Sequence, residues 1–138
     1  MSDDLGTRFV TAVAARDEAA LAACFVPDVE FRALSPPGLR ERKGAGETAA
    51  LYSRWFGDST ELHLLDSRSD EVGDRLHLSY RLGGVEEGEP FVVEHHLFCT
   101  IGNGKIERCD LLCSGFRPPA ARGGVAVAPQ SPAAAEGR

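Results

Sequence analysis

With 138 residues, 43% of them hydrophobic and 26% charged, the chain has the length and composition of one globular domain with a single core. A formal charge of −6 and the lack of any Lys/Arg run exclude the phosphate-contacting surface of a nucleic-acid binder. The start, Met1-Ser2-Asp3-Asp4, is acidic where a secretory signal is basic and then apolar, and no apolar run approaches the ~20 residues of a bilayer span.

A cytoplasmic protein without membrane contact is therefore expected, and Cys24, Cys99, Cys109 and Cys113 are expected as buried thiols rather than disulfides. Leu5, Phe9, Val10 and Val13 recur at helical spacing over residues 4–15, and Asp17 reads as the N-cap of a second short helix running to Ala23. Val29 to Ala33 alternates apolar with charged, as a strand with one solvated face does, and Ser35-Pro36-Pro37-Gly38 ends it. A polar, Gly-containing stretch leads to a third helix over residues 47–56 with Leu51, Tyr52, Trp55 and Phe56 on its apolar stripe.

The period then changes to two. Leu62 and Leu64 mark one strand, Leu76, Leu78, Tyr80 and Leu82 a second, and Phe91 to Ile101 a third, joined through Gly102-Asn103-Gly104 to a fourth over residues 105–116. The Pro/Ala/Gly-rich segment 118–138 has little to bury and is expected to be a disordered tail, which leaves residues 1–117 as the domain.

Helix, helix, strand, helix and four long strands make an α+β layout. With the phrases Ala22-Ala23-Cys24-Phe25-Val26-Pro27-Asp28-Val29-Glu30-Phe31 and Gly102-Asn103-Gly104-Lys105-Ile106, this order resembles the nuclear transport factor 2-like superfamily and within it the SnoaL-like polyketide cyclases. The resemblance implies a cystatin-like, cone-shaped fold, in which a curved antiparallel or mixed sheet wraps around three helices from the N-terminal half and encloses a pocket. It also implies a homodimer through the outer sheet face.

Four polar residues interrupt the last two strands: Glu94, His95, His96 and Asp110. A three-residue loop, Gly102 to Gly104, would set His96 directly across from Asp110, with β-carbons ~5 Å apart. A two-residue Asn103-Gly104 turn would instead set Asp110 opposite Leu97, with His95 on its face. A carboxylate and an imidazole so paired in an apolar pocket could exchange a proton near neutrality. His96 and Asp110 are fourteen residues apart, which resembles the His and Asp of the SnoaL-type cyclases. That resemblance implies Asp110 as the base that removes a proton from carbon, and His96 as its partner.

Phe9, Phe31, Tyr52, Trp55, Tyr80, His95, Phe98 and Leu112 are the expected substrate contacts, a largely aromatic set suited to a hydrophobic, polyketide-like small molecule. No cofactor is expected. No metal is expected either: His95, Cys99, Cys109 and Cys113 share one parity, but strand residues four apart lie ~13 Å from each other, too far for joint ligation.

The reading is a cofactor-free cyclase or isomerase. The alternatives are a non-catalytic ligand-binding or dimeric interaction domain and, further off, an epoxide hydrolase-like enzyme. Aligned on Arg16-Asp17 and Pro27-Asp28, the chain has Ala33 and Phe9 where ketosteroid isomerases carry their base and oxyanion donor, which argues against that activity. Glu30, Arg32, Arg40, Glu41, Arg42 and Lys43 read as a solvated charge set, with Arg32 able to reach a pocket mouth.

Overall fold

The computed structural model describes residues 4–119, so the expected tail beyond Pro119 lies outside the described residues. Helix α1 (Leu5–Ala15) begins where the Asp4 carboxylate accepts the Thr7 amide at 2.8 Å. It ends at Arg16, whose left-handed backbone (φ 55°) turns the N–H back onto the carbonyls of Ala12 and Val13. Asp17 caps α2 (Glu18–Ala22) through the Ala20 amide, and α3 (Ala45–Phe56) follows after the first two strands.

Strands β1 (Phe25–Ser35), β2 (Gly38–Lys43), β3 (Ser59–Val72), β4 (Arg75–Glu86), β5 (Glu89–Gly102) and β6 (Lys105–Cys113) form one sheet in the order β2-β1-β6-β5-β4-β3. β1 runs parallel to β6 and every other neighbouring pair is antiparallel, so the sheet is mixed. The α+β expectation holds, with one addition. Residues 38–43, read as loop, are the edge strand β2, which the Pro36-Pro37 turn folds back onto β1. Its charges (Arg40, Glu41, Arg42, Lys43) are the kind that keep an edge from pairing with another chain, and they hide its period from a sequence reading.

The helices share one face of the sheet: α1 rests on β3 and β4, and α3 on β1 and β2, with α2 between the two helices. α1 comes close to β3 at Gly6, where a Cβ would collide with the Ser69 side chain. None of the described helices is long and apolar enough to cross a membrane.

On β5 the odd-numbered Phe91, Val93, His95, Leu97 and Cys99 face the helices and are buried. Burying a Leu, Val or Phe contributes about 1.5–3 kcal/mol. No single polar pair offsets the exposure of that whole row, so the row decides which way β5 faces.

Asn103 (φ 55°) and Gly104 (φ 76°) make a two-residue hairpin turn in the left-handed region, pairing Gly102 with Lys105 and Ile101 with Ile106. Glu107 is then an extra residue on β6, a bulge, and from Thr100↔Arg108 onward the register has slipped by one. Asp110 therefore faces Phe98, and His96 faces Leu112. Neither expected register survives the bulge, and the pairing of His96 with Asp110 is corrected.

Candidate functional site

Asp110 and His96 lie on the face of the sheet turned away from the helices, in separate networks. Arg32 Nε donates to Asp110 Oδ1 at 2.9 Å, with both side chains about half exposed, so Arg32 serves the outer face and not a pocket mouth. His96 Nε2 is 2.7 Å from Glu94 Oε2, and its Nδ1 is 3.3 Å from His77 Nε2. The bond from His96 holds the Glu94 carboxyl below its ordinary range, with Arg81 adding to the effect. Phe98 and Leu112, also expected as pocket walls, share this outer face and are each 50% exposed, because their even numbers place them opposite to His95 and Leu111.

The inner face carries a different polar group. The Tyr52 and Tyr80 hydroxyls are 2.7 Å apart, and the Tyr80 hydroxyl is 2.8 Å from His95 Nδ1, all fully enclosed. The rings of Tyr80, Trp55, Tyr52 and Phe56 surround the imidazole with centroids at 5.2, 5.4, 5.9 and 5.9 Å. Phe9 and Phe31 pack behind Tyr52 at 5.8 and 6.2 Å. Six of the expected contact residues, Phe9, Phe31, Tyr52, Trp55, Tyr80 and His95, thus come together. Phe56 joins them unforeseen, although its place on the α3 stripe was the signal.

Burial pushes both phenols well above their ordinary range and lowers His95 to about 3, so the hydroxyls stay protonated and the imidazole neutral at physiological pH. His95 Nε2 is buried without a hydrogen-bond partner. Counting protons assigns the tautomer. If Tyr52 donates to Tyr80 and Tyr80 donates to Nδ1, both hydroxyls are used and the ring proton sits on Nε2. The opposite tautomer would leave the Tyr52 proton without a partner in this relay as well. The relay therefore ends in a single buried N–H donor.

A cleft of about 250 Å³ opens among the three helices. Val13, Leu21 and Ala49 form its apolar wall, Arg16 and Glu18 are among its polar lining, and it shares Tyr52 and Phe56 with the cage around His95. Among the described residues, no three or more His, Cys, Asp or Glu side chains converge as a metal cluster would.

The SnoaL-like domain profile matches residues 7–109. The chain belongs to the SnoaL-like domain family. No curated protein matches it. Among solved structures, a protein of ketosteroid isomerase-like fold from Catenulispora acidiphila, in complex with trimethylamine, superposes with a TM-score of 0.67 at 17% identity, covering 80% of this chain and 85% of that one. A candidate polyketide cyclase from Xanthomonas campestris gives 0.65 at 22%, covering 78% and 86%. An epoxide hydrolase of the LEH-like type from M. tuberculosis gives 0.63 at 15%, covering 79% of each chain. At these identities the likeness is one of fold.

In this SnoaL-like domain the fourteen-residue spacing links two different pairs. From outward His96 it reaches outward Asp110, and from inward His95 it reaches Cys109, a fully buried thiol whose pKa burial raises. The carboxylate that the spacing suggested is on one face and the enclosed imidazole on the other.

Proposed function

We propose that this SnoaL-like domain takes a hydrophobic, carbonyl-bearing small molecule between its helices and the inner face of its sheet, and promotes a cofactor-free cyclisation or isomerisation next to that carbonyl. The observation that carries the reading is His95, a neutral imidazole inside an aromatic cage with its Nε2–H unspent. An acceptor oxygen on a ligand would satisfy that donor. As a water or buffer base takes the α-proton, the charge left on that oxygen as an enolate would strengthen the bond; the domain's own part is to hold and polarise the carbonyl. Tyr80 and Tyr52 hold the tautomer that makes Nε2 a donor, so they are positioning residues. A cavity of 150 Å³ accepts benzene, so the 250 Å³ helix cleft suits a ligand of one ring with a short arm, or the end of a larger one. The cleft borders the cage at Tyr52 and Phe56 and does not open on His95 itself, so the carbonyl would reach Nε2 only as those rings shift.

Trp55 is the single tryptophan of the chain and stands 5.4 Å from the His95 ring, so its fluorescence reports on the site. Aryl ketones are expected to quench it saturably and to bind roughly 2- to 10-fold tighter than hydrocarbons of the same shape, the worth of one hydrogen bond. Exchange of the ketone's α-hydrogens in deuterated water, read by NMR, separates turnover from simple binding. Equal affinity for ketone and hydrocarbon would remove the oxygen-recognition reading.

Two copies are proposed to join through the outer sheet face. Leu34, Leu39, Phe98 and Leu112, 49–56% exposed, form an apolar patch there, ringed by Arg32 and Asp110. Sedimentation of the intact chain is expected to give a dimer that Leu112→Asp dissociates; a monomer in the unaltered protein would rule the dimer out.

A further inference from the structure

His77 and His96 take no part in the inner site, and they meet on the outer face where β4 and β5 lie side by side. Their rings meet edge to edge, with centroids 5.6 Å apart and planes 27° from parallel, and His77 stacks on Phe98 at 4.7 Å with planes 5° apart, so both imidazoles are held in place. Arg81 donates to Glu94 Oε1 at 2.9 Å, while Glu94 Oε2 accepts from His96 Nε2–H at 2.7 Å. A carboxylate that fixes Nε2 as the protonated nitrogen leaves the His96 Nδ1 lone pair free, and that lone pair points at His77 Nε2, 3.3 Å away.

Two nitrogens each 2.0–2.1 Å from a tetrahedral ion are roughly 3.4 Å apart. The separation already matches that spacing. A clamped carboxylate behind one imidazole is also the arrangement that orients histidine ligands and raises their basicity.

We propose that His77 Nε2 and His96 Nδ1 form a site for a divalent transition-metal ion, of the zinc, nickel or copper kind, with water filling the remaining positions. Imidazole pairs select these ions over magnesium or calcium, which take oxygen ligands. On binding, His77 presents its Nε2 lone pair with its ring proton on Nδ1, and the ion replaces the N–H···N contact. Glu94 is a positioning residue that supplies a compensating negative charge. The site lies on the opposite face from His95 and does not depend on the reading of the inner pocket.

The test is titration of the full, untagged chain with Ni²⁺ and Zn²⁺ by calorimetry. Saturable binding of one ion per chain is expected, lost in His77→Ala and in His96→Ala. Glu94→Gln is expected to weaken it about 10-fold or more. His63→Ala, at an exposed histidine paired with Glu61, is expected to leave it unchanged. In the unaltered protein, Cu²⁺ should broaden the ring resonances of His77 and His96 first, a readout that holds even if a variant fails to fold. No saturable binding at millimolar ion, binding that survives loss of both histidines, or broadening at His63 instead would each overturn the proposal.

Discussion

Acidification from neutral pH to pH 4 is expected to remove about 3 kcal/mol of folding stability through His95 alone. In the unfolded chain this imidazole titrates at its ordinary 6.5, whereas in the fold burial lowers it to about 3, with the neighbouring His96 acting in the same direction. Above 6.5 both states hold it neutral, so it has no effect on stability. As the pH falls below 6.5 the unfolded state takes up a proton that the folded state refuses, and stability drops by about 1.4 kcal/mol per unit until the folded group itself protonates near 3.

Urea unfolding at a series of pH values measures this directly. Other groups titrate in the same range, among them Glu94, whose partly exposed carboxyl is held low by His96, so the informative quantity is a difference between proteins. His95→Gln keeps a polar atom for the Tyr80 hydroxyl and removes the titration. Its stability is expected to fall less between pH 6.5 and pH 4, by most of that 3 kcal/mol. Parallel curves for the two proteins would mean that His95 is not held neutral in the fold.

Tyr80→Phe is expected to cost about 2–4 kcal/mol at neutral pH, whereas Tyr52→Phe costs about 1 kcal/mol. Tyr80 stands in the middle of the relay, and its hydroxyl meets both Tyr52 and His95 Nδ1. Its loss leaves two enclosed polar groups, Tyr52 Oη and His95 Nδ1, without partners, and an orphaned buried group costs about 1–3 kcal/mol. Tyr52 stands at the end. Without its hydroxyl, Tyr80 still donates to His95, and only an acceptor lone pair on Tyr80 goes unused. The ring contacts of both residues persist in the phenylalanine variants, so the gap between the two urea midpoints isolates the relay. Equal costs would show that the hydroxyls act independently, and the assigned direction of donation would then fail.

These effects all arise on the inner face, and which residues occupy it was only half legible in the sequence. Period and caps determined the elements. Asp4 and Asp17 mark helix starts because their carboxylates satisfy amides three residues on, a contact within a single turn. The alternation from Leu76 to Leu82 marks β4 because a pleated strand buries every second side chain. Such signals are local, and they were enough for the α+β layout and for placing Tyr52 and Tyr80 on the inner face. They were not enough for β2, whose arginines, lysine and glutamate mask its period, since an edge strand with little to bury carries no apolar alternation to read.

The partner of Asp110 was decided by tertiary structure. Both readings of the Gly102-Asn103-Gly104 turn assumed an unbroken ladder, and the bulge at Glu107 breaks it three residues after Gly104. Side chains alternate with period two, so one extra residue reverses the face of everything beyond it. The odd rows of β5 and the Cys109 and Leu111 positions of β6 bury together, which sends His96 and Asp110 outward and keeps His95 inside. A bulge costs one unpaired residue, while the competing register would expose a whole apolar row. That comparison can be made only once the strands are packed against the helices, which is why the sequence determined the kinds of residue in the site and the tertiary structure determined which of two adjacent histidines belongs to it.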